Sequence, residues 1–282
     1  KITEVNWQAY IFHSSFFNVV ISLFTFFLLI RFDLNKIYAF FYTISLATLS
    51  YPVSGTPFVD MHSTYFCLIA TYCTFLAIKK PKKNYIWILV VLFFVLAFLS
   101  KQVPAAYLVI LYSPVILLHL IITRNFKAIK IILTALAFFV IVFYLTLELL
   151  KIDLNLFLLQ YIYFPQSLGS QRLSDLNLSF ESFFNHYKFI FIPLLLIIFI
   201  YLKKSYRYEI NLHSKDFINT LILIFFCFGL IFHQTLTKNQ IYIYFLIPLC
   251  FGYLHIQIEK LNIDFKDIFK YLILLIVIFT TI

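Results

Sequence analysis

Long uninterrupted apolar runs dominate this sequence and restrict what it can fold into. Between Tyr85 and Ile122, for example, Lys101 is the only Asp, Glu, Lys or Arg. Such runs match the ~20 mostly apolar residues that a helix needs to cross a bilayer. They are apolar on every face, which argues against the alternating pattern of a β-barrel. We therefore expect an all-α fold, a polytopic transmembrane helical bundle.

The amino-acid composition agrees with a membrane protein and excludes other classes. Hydrophobic residues make up 63% of the 282 residues and charged residues 12%, against about 45–50% and about 25% in soluble domains. These values exclude a soluble enzyme, a nucleic-acid reader and a disordered protein. The four cysteines lie within apolar runs and form no CxxC pair, so we interpret them as small apolar residues.

The apolar runs predict about ten spans in a single transmembrane domain over residues 1–282. The predicted helices cover residues 9–30, 37–53, 57–78, 85–100, 103–122, 131–150, 188–202, 217–232, 240–257 and 268–282. The sequence starts with lysine and ends within an apolar run. We therefore expect a fragment that is cut at both ends and lacks an upstream span.

The positive charges predict how the spans are oriented. The net charge is +10, and 16 of the 22 Lys and Arg residues fall in alternate loops. The positive-inside rule makes those loops cytoplasmic, which leaves the N-terminus and the unusual polar residues outside. We interpret the charge as topological and expect no nucleic-acid partner. The expected location is the inner membrane of a bacterium, with the site facing the periplasm.

The first candidate site residue is Asp60, in an outer loop that leads into a span. Thr56 followed by Pro57 is typical of a helix N-cap and first helical residue, which places Asp60 about one turn inside the helix. An acid there can simply complement the helix dipole. Alternatively, it faces an outer cavity as a base, metal ligand or substrate anchor, because ionisable groups near lipid are costly. His62 is a weaker metal-ligand candidate.

Lys101 is the second candidate, since it lies between two apolar runs with almost no loop. Its ammonium group can snorkel to the outer headgroups. It can also contact a phosphate, for which lysine is a common point-charge partner. Pro104 would start the next helix, whose N-terminus also favours an anion.

Residues 151–187 form the longest outer segment, and long loops are usually functional. Its apolar, aromatic part, residues 154–164, predicts a helix in the membrane interface. Arg172 lies in the same segment, and His233, Lys238 and Tyr242 lie in a later outer loop. Tyrosines there can belong to an aromatic belt. Together, Lys101, Arg172, His233 and Lys238 opposite Asp60 predict an outer pocket for a phosphorylated lipid.

Short motifs give these residues a possible family context. Thr56-Pro57-x-x-Asp60 enters a span, a basic loop follows at 79–83, and the next span ends Leu96-Ala-Phe-Leu-Ser-Lys101. A late outer loop leads into Tyr242-x-Tyr244-x-x-x-Pro248. In order and sidedness these motifs resemble the GT-C superfamily of membrane glycosyltransferases. The branch is that of protein O-mannosyltransferases, aminoarabinose transferases and rhizobial lipopolysaccharide glycosyltransferases, and the likeness covers about residues 10–253.

The resemblance implies a transferase with an outward-facing site. Its donor would be a polyprenyl-phosphate sugar, its acceptor a lipid, glycan or protein, and no nucleotide cofactor would be needed. Asp60 matches the family's second acid, which in some members helps to hold a divalent metal, here with His62. Lys101 matches a basic residue of the pattern, although Gln102 stands where the pattern often has glycine. The principal acid would lie in the first outer loop, of which only the tail with Glu4 is present, so we expect this chain alone to be inactive.

Other functions remain open at this point. A multi-span transporter or flippase would show broken helices or internal repeats, and this chain has four glycines and no visible repeat. A lipid-linked polysaccharide polymerase or ligase would need an Arg-rich outer loop, and only Arg172 is present in the long one. The sequence contains no P-loop, GxSxG or HExxH pattern, so ATP, serine-hydrolase and zinc-protease chemistry have no support.

Overall fold

A computed structural model describes residues 6–55, 59–174, 176, 179–206, 214–237, 243–261 and 266–282. All regular secondary structure within these ranges is helical, as expected. The α-helices are α1 Trp7–Arg31, α2 Lys36–Ser54, α3 Val59–Lys79, α4 Ile86–Ser100, α5 Gln102–Ile122, α6 Phe126–Leu149, α7 Leu154–Leu158, α8 Phe164–Ser174, α9 Lys188–Tyr206, α10 Lys215–Leu236, α11 Leu246–Glu259 and α12 Lys266–Thr281. Two π-helical segments, Leu159–Tyr163 and Glu181–Asn185, and a 3-10 turn, Ile243–Phe245, complete the described structure.

Every predicted span has a helical counterpart, but the expected number of about ten spans is too high. Within the described residues, five helices are long and apolar enough to cross a membrane: α1, α3, α5, α6 and α10. The apolar helices Ile86–Ser100 and Ile243–Glu259 are shorter than the ~20 residues that a span needs. Helix α4 ends at Ser100, where its predicted range also ended, and Lys101 after it has an extended backbone, with φ −158° and ψ 138°.

Helix α6 begins five residues before the predicted start at residue 131. The Asn125 side chain caps it by accepting a hydrogen bond from the Ala128 N–H at 3.3 Å. Lys127 and Lys130 lie in the first turns and are exposed. The sequence assigned these lysines to a loop, but their long stems allow the charged ends to reach water from a helix.

The chain divides into two compact units. Unit 1 comprises Lys1–Met61, Ser179–Leu212 and Ile241–Ile282, and unit 2 comprises His62–Leu178 and His213–Gln240. That the units act as one transmembrane domain over residues 1–282 stays a prediction.

Unit 1 is built around α11, whose residues from 246 to 258 are all buried. Helices α2, α9 and α12 contact it. Gly252 permits a close approach, because a Cβ there would lie 3.2 Å from Leu29 and 3.4 Å from Tyr42. The Tyr42 hydroxyl and His255 Nδ1 form a buried hydrogen bond of 3.0 Å between α2 and α11.

A charged cluster joins the end of α11 to the start of α12. Lys270 Nζ lies 2.6 Å from the Glu259 carboxylate and 2.9 Å from the Asp267 carboxylate. The hydrogen bond from Lys270, together with its charge, lowers the pKa of Asp267. Unit 1 therefore combines an apolar centre with ionic contacts at one end.

Unit 2 contains four of the five candidate spans. The Thr71 and Tyr112 hydroxyls, both buried, hydrogen-bond at 2.9 Å between α3 and α5. Helix α10 packs closely on α5, since a Cβ on Gly229 would lie 2.6 Å from a methyl of Leu108. Helix α6 contacts α4 and α5 but leaves most of its side chains exposed, as expected for a surface that faces lipid.

Candidate functional site

Two predicted site residues, Lys101 and His233, lie at one end of unit 2. Ser63, near the start of α3, donates a hydrogen bond from Oγ to the backbone oxygen of Lys101 at 3.1 Å. Lys101 separates α4 from α5. The ring of Tyr107, in α5, lies 6.5 Å from the ring of His233, near the end of α10. Lys101 and His233 therefore belong to the same end of the unit, as the alternation of the loops predicted.

The α4–α5 junction leaves helix-end carbonyls that need hydrogen-bond donors. The Lys101 N–H donates to the Ala97 carbonyl at 3.0 Å. The Tyr161 hydroxyl donates to the Phe98 carbonyl. The side chains of Ser63 and Tyr161, which come from two other parts of unit 2, therefore complete the hydrogen bonding of this turn. The backbone at Lys101 is thus held by these hydrogen bonds.

The segment from Leu154 to Ser174 covers this junction. The predicted helix over 154–164 is helical and continues through the π-helical segment into α8. Asp153 caps its start by accepting from the Leu156 N–H at 2.8 Å. The Gln102 amide donates to the Tyr161 carbonyl, and Phe157 packs on Phe143 of α6 with ring centroids 5.1 Å apart. The location of this segment at a membrane interface stays a prediction.

Tyr161 is the central residue of this covering segment. Burial raises the pKa of Tyr161 to about 12, so its hydroxyl keeps the proton that it donates to the α4 end. Its ring stacks on Phe157 at 4.9 Å and contacts Phe98 at 6.1 Å. The residue therefore holds the segment by both polar and aromatic contacts.

Arg172 lies in the last turn of α8 and is exposed. Helix α8 contacts α10, the helix that carries His233. His233 itself is 1% exposed, whereas the sequence placed it on the wall of an outer pocket. Of the predicted cations that the structure describes, Lys101 and Arg172 are thus the ones accessible to a ligand.

Asp60 lies in the first turn of α3 and is 8% exposed. It precedes Ser63 by three residues, so the two share a face of the helix. His62 is two residues from Asp60 and points to another side of α3, where its ring is 6.4 Å from that of Phe66. The described residues contain no group of three or more His, Cys, Asp or Glu that could hold a metal. That Asp60 and His62 help to hold a divalent metal stays a prediction.

Some predicted residues lie outside the described part of the chain. They are Lys238 and Tyr242 of the candidate pocket, Thr56 and Pro57 of the motif before Asp60, and Glu4 of the N-terminal tail.

No role was predicted from the sequence for Ser63, Gln102 or Tyr161, which organise the junction. Gln102 carried a weak signal, because it is a second polar residue at a connection with almost no loop. Tyr161 also carried one, since its spacing of four from Phe157 puts two aromatic rings on the same helical face. Ser63 carried none.

Unit 1 has a separate cavity of about 290 Å³. His186, Tyr244 and Thr280 provide polar groups in its lining. His186 Nε2 and the Tyr244 hydroxyl are 3.0 Å apart. Tyr244 belongs to the late Tyr-x-Tyr motif, whereas the sequence did not single out His186. The pair can donate and accept hydrogen bonds toward a polar ligand.

We expect Gln102→Ala to loosen the covering segment without unfolding unit 2. The change removes the hydrogen bond to Tyr161, and such a bond contributes about 1 kcal/mol. Amide hydrogen exchange in residues 154–174 should therefore accelerate by about fivefold. Gln160→Ala is the matched control, because Gln160 is exposed in the same segment. Equal exchange in both variants would contradict the bond's role.

The sequence matches no protein-family model, and no curated protein or solved structure is significantly similar to it.

Proposed function

We propose that this chain belongs to a membrane glycosyltransferase that moves a sugar from a polyprenyl-phosphate donor to a lipid, glycan or protein acceptor. The observation that supports this function most directly is that Lys101 and His233 lie at one end of unit 2, where the helix that carries Arg172 contacts the helix that carries His233. These residues come from separate parts of the sequence, and the covering segment makes hydrogen bonds to the backbone and side chains beside Lys101. A site for a lipid-linked phosphate needs cations held in this way.

The proposed reaction is a displacement that inverts the sugar's anomeric carbon. A carboxylate accepts the proton of the acceptor hydroxyl while its oxygen forms a bond to that carbon. The bond between the carbon and the phosphate oxygen breaks, and its electron pair leaves with the polyprenyl phosphate. Asp60 is the proposed carboxylate within this chain. Its low exposure fits a base that works away from bulk water.

Lys101 and Arg172 are proposed to stabilise the leaving phosphate. Lysine acts as a point charge toward phosphate, and arginine can bind two phosphate oxygens at once. Lys101 is fixed by the α4–α5 turn, whereas Arg172 sits on an exposed helix. We therefore assign Lys101 to the reacting phosphate and Arg172 to capture of the donor. His233 is proposed to support the site from the buried side through its contact with Tyr107.

We further propose that the site faces the periplasm across a bacterial inner membrane. The positive loops at the opposite helix ends support this orientation. A polyprenyl-phosphate sugar can reach the site by lateral diffusion because its chain stays in the bilayer.

The test is transfer of label from a radiolabelled polyprenyl-phosphate sugar pool in inner-membrane vesicles that contain the full-length protein. We expect Lys101→Ala to lower transfer by about 10²-fold, the loss typical of one charge-stabilising group. Lys151→Ala is the control, because Lys151 is an exposed cation beside the covering segment without a proposed role. Absence of transfer with every sugar pool, together with movement of a solute across the vesicle, would favour a transporter instead.

A further inference from the structure

A second cavity lies at the opposite end of unit 2, where α3 and α5 end and α4, α6 and α10 begin. Its volume is about 330 Å³, within the range of small-molecule sites. Lys82, Arg124 and Lys215 line it, and the buried side chains of His119 and Trp87 form part of its wall. Lys82 and Arg124 come from two connections between helices, and Lys215 is the first residue of α10. This basic cavity is distinct from the candidate site at the Lys101 end.

The lining is held in place by hydrogen bonds. Lys215 donates from Nζ to the backbone oxygen of Lys79 at 3.3 Å, at the end of α3. Asn125 donates from its side-chain amide to Asn84 at 3.3 Å. These contacts tie the start of α10 and the α5–α6 turn to the α3–α4 connection. The cavity is therefore a built feature rather than a gap between mobile loops.

Arg124 occupies a restricted backbone position. Its φ is 54°, in the left-handed region that residues other than glycine rarely adopt. Its N–H donates to the Ile121 carbonyl at 3.0 Å and closes the end of α5. Glycine is the usual residue at such a helix end. An arginine there costs backbone energy, and Arg124 lines the cavity.

The charges around the cavity are unbalanced. Among the described residues that line it, three carry a positive charge and none is Asp or Glu. Asp216 follows Lys215 in α10 but does not line the cavity. Like charges that converge on one cavity repel each other, and an anion placed among them removes that repulsion.

We propose that the basic cavity binds a phosphate group, carried by an anionic phospholipid headgroup or by a soluble phosphate. Arginine and lysine are the side chains that proteins use most for this group. The buried Trp87 gives the cavity an apolar wall, which fits a ligand that is charged at one end only. Basic pockets at helix ends on the cytoplasmic side are known to take lipid headgroups. The sequence assigned these cations only a topological role.

The neighbouring helix surfaces provide a place for acyl chains. Next to the cavity, Ile121 and Ile122 of α5 and Ile88 and Leu89 of α4 are exposed apolar side chains. A phospholipid whose headgroup enters the cavity could lay its chains on these residues. A phospholipid would therefore cover these exposed apolar residues, whereas a soluble phosphate would leave them uncovered.

The test measures binding of acyl-labelled phosphatidylglycerol to the full-length protein in neutral detergent micelles, with acyl-labelled phosphatidylcholine for comparison. We expect the double variant Arg124→Gln/Lys215→Gln to weaken phosphatidylglycerol binding by about tenfold or more, because two charge-assisted contacts are lost. The matched control is Lys127→Gln/Lys130→Gln, which removes the same charge from exposed positions of α6 outside the cavity. We expect it to change binding by about twofold at most.

Competition with inorganic phosphate identifies the source of the phosphate group. If inorganic phosphate displaced the lipid, the result would support a phosphate site that also takes a soluble ligand. Binding that resists phosphate but is lost in Arg124→Gln/Lys215→Gln would support the lipid headgroup. Equal weakening by both double variants, or equal binding of the two lipids, would overturn the proposal. Lys82→Gln, a single exposed change, repeats the test if the double variant unfolds, and the assay does not depend on transferase activity.

Discussion

Asp60→Asn is expected to lower sugar transfer by about 10²- to 10⁴-fold, the contribution typical of a general base. Asparagine has nearly the same size and can still accept a hydrogen bond in the first turn of α3, but it does not take up a proton. The measurement is single-turnover transfer of label in vesicles that contain the full-length protein. Because donor binding uses the cations, the loss should appear in the rate at saturating donor rather than in donor affinity.

The matched control for this experiment is Glu148→Gln. Glu148 is an exposed acid near the end of α6, at the same end of unit 2 as the covering segment, and has no proposed catalytic role. Its loss should leave transfer close to wild type. Normal transfer by Asp60→Asn would return Asp60 to the simpler role of an acid that complements the N-terminus of α3.

The second large effect concerns stability. Trp87, in α4, is 1% exposed and is the largest fully buried side chain in the described structure. Trp87→Ala should destabilise the protein by about 3 kcal/mol, at the lower end of the cost of such truncations. We use the lower end of that range because lipid is as apolar as the helix surface. The truncation therefore costs mainly packing contacts. Thermal unfolding in micelles measures it.

The chain's other tryptophan provides the control for that measurement. Trp7 is 72% exposed, and exposed substitutions usually change stability by less than about 0.5 kcal/mol. Trp7→Ala should therefore unfold at nearly the wild-type temperature. Equal destabilisation by the two variants would show that Trp87 is not a packing residue of this core.

Helical structure could be predicted from the sequence because it depends on local pattern. An apolar run long enough to satisfy its own backbone in lipid has few alternatives to a helix. The number of spans was less predictable. The bounds of α4 agree with its predicted range of 85–100, but its 15 residues are fewer than the ~20 that a span needs. The estimate of about ten spans failed because it counted such short apolar runs as spans.

The candidate site likewise has features that the sequence predicts and others that only the tertiary structure reveals. From the sequence by itself, the alternate basic loops predict that Lys101 and His233 lie at the same ends of their helices. Only the tertiary structure decided that Gln102 and Tyr161, far apart in the chain, complete the α4–α5 turn. It also decided that Lys82, Arg124 and Lys215 line one cavity. A loop's charge predicts its side of the membrane, but contacts between loops depend on how the helices pack.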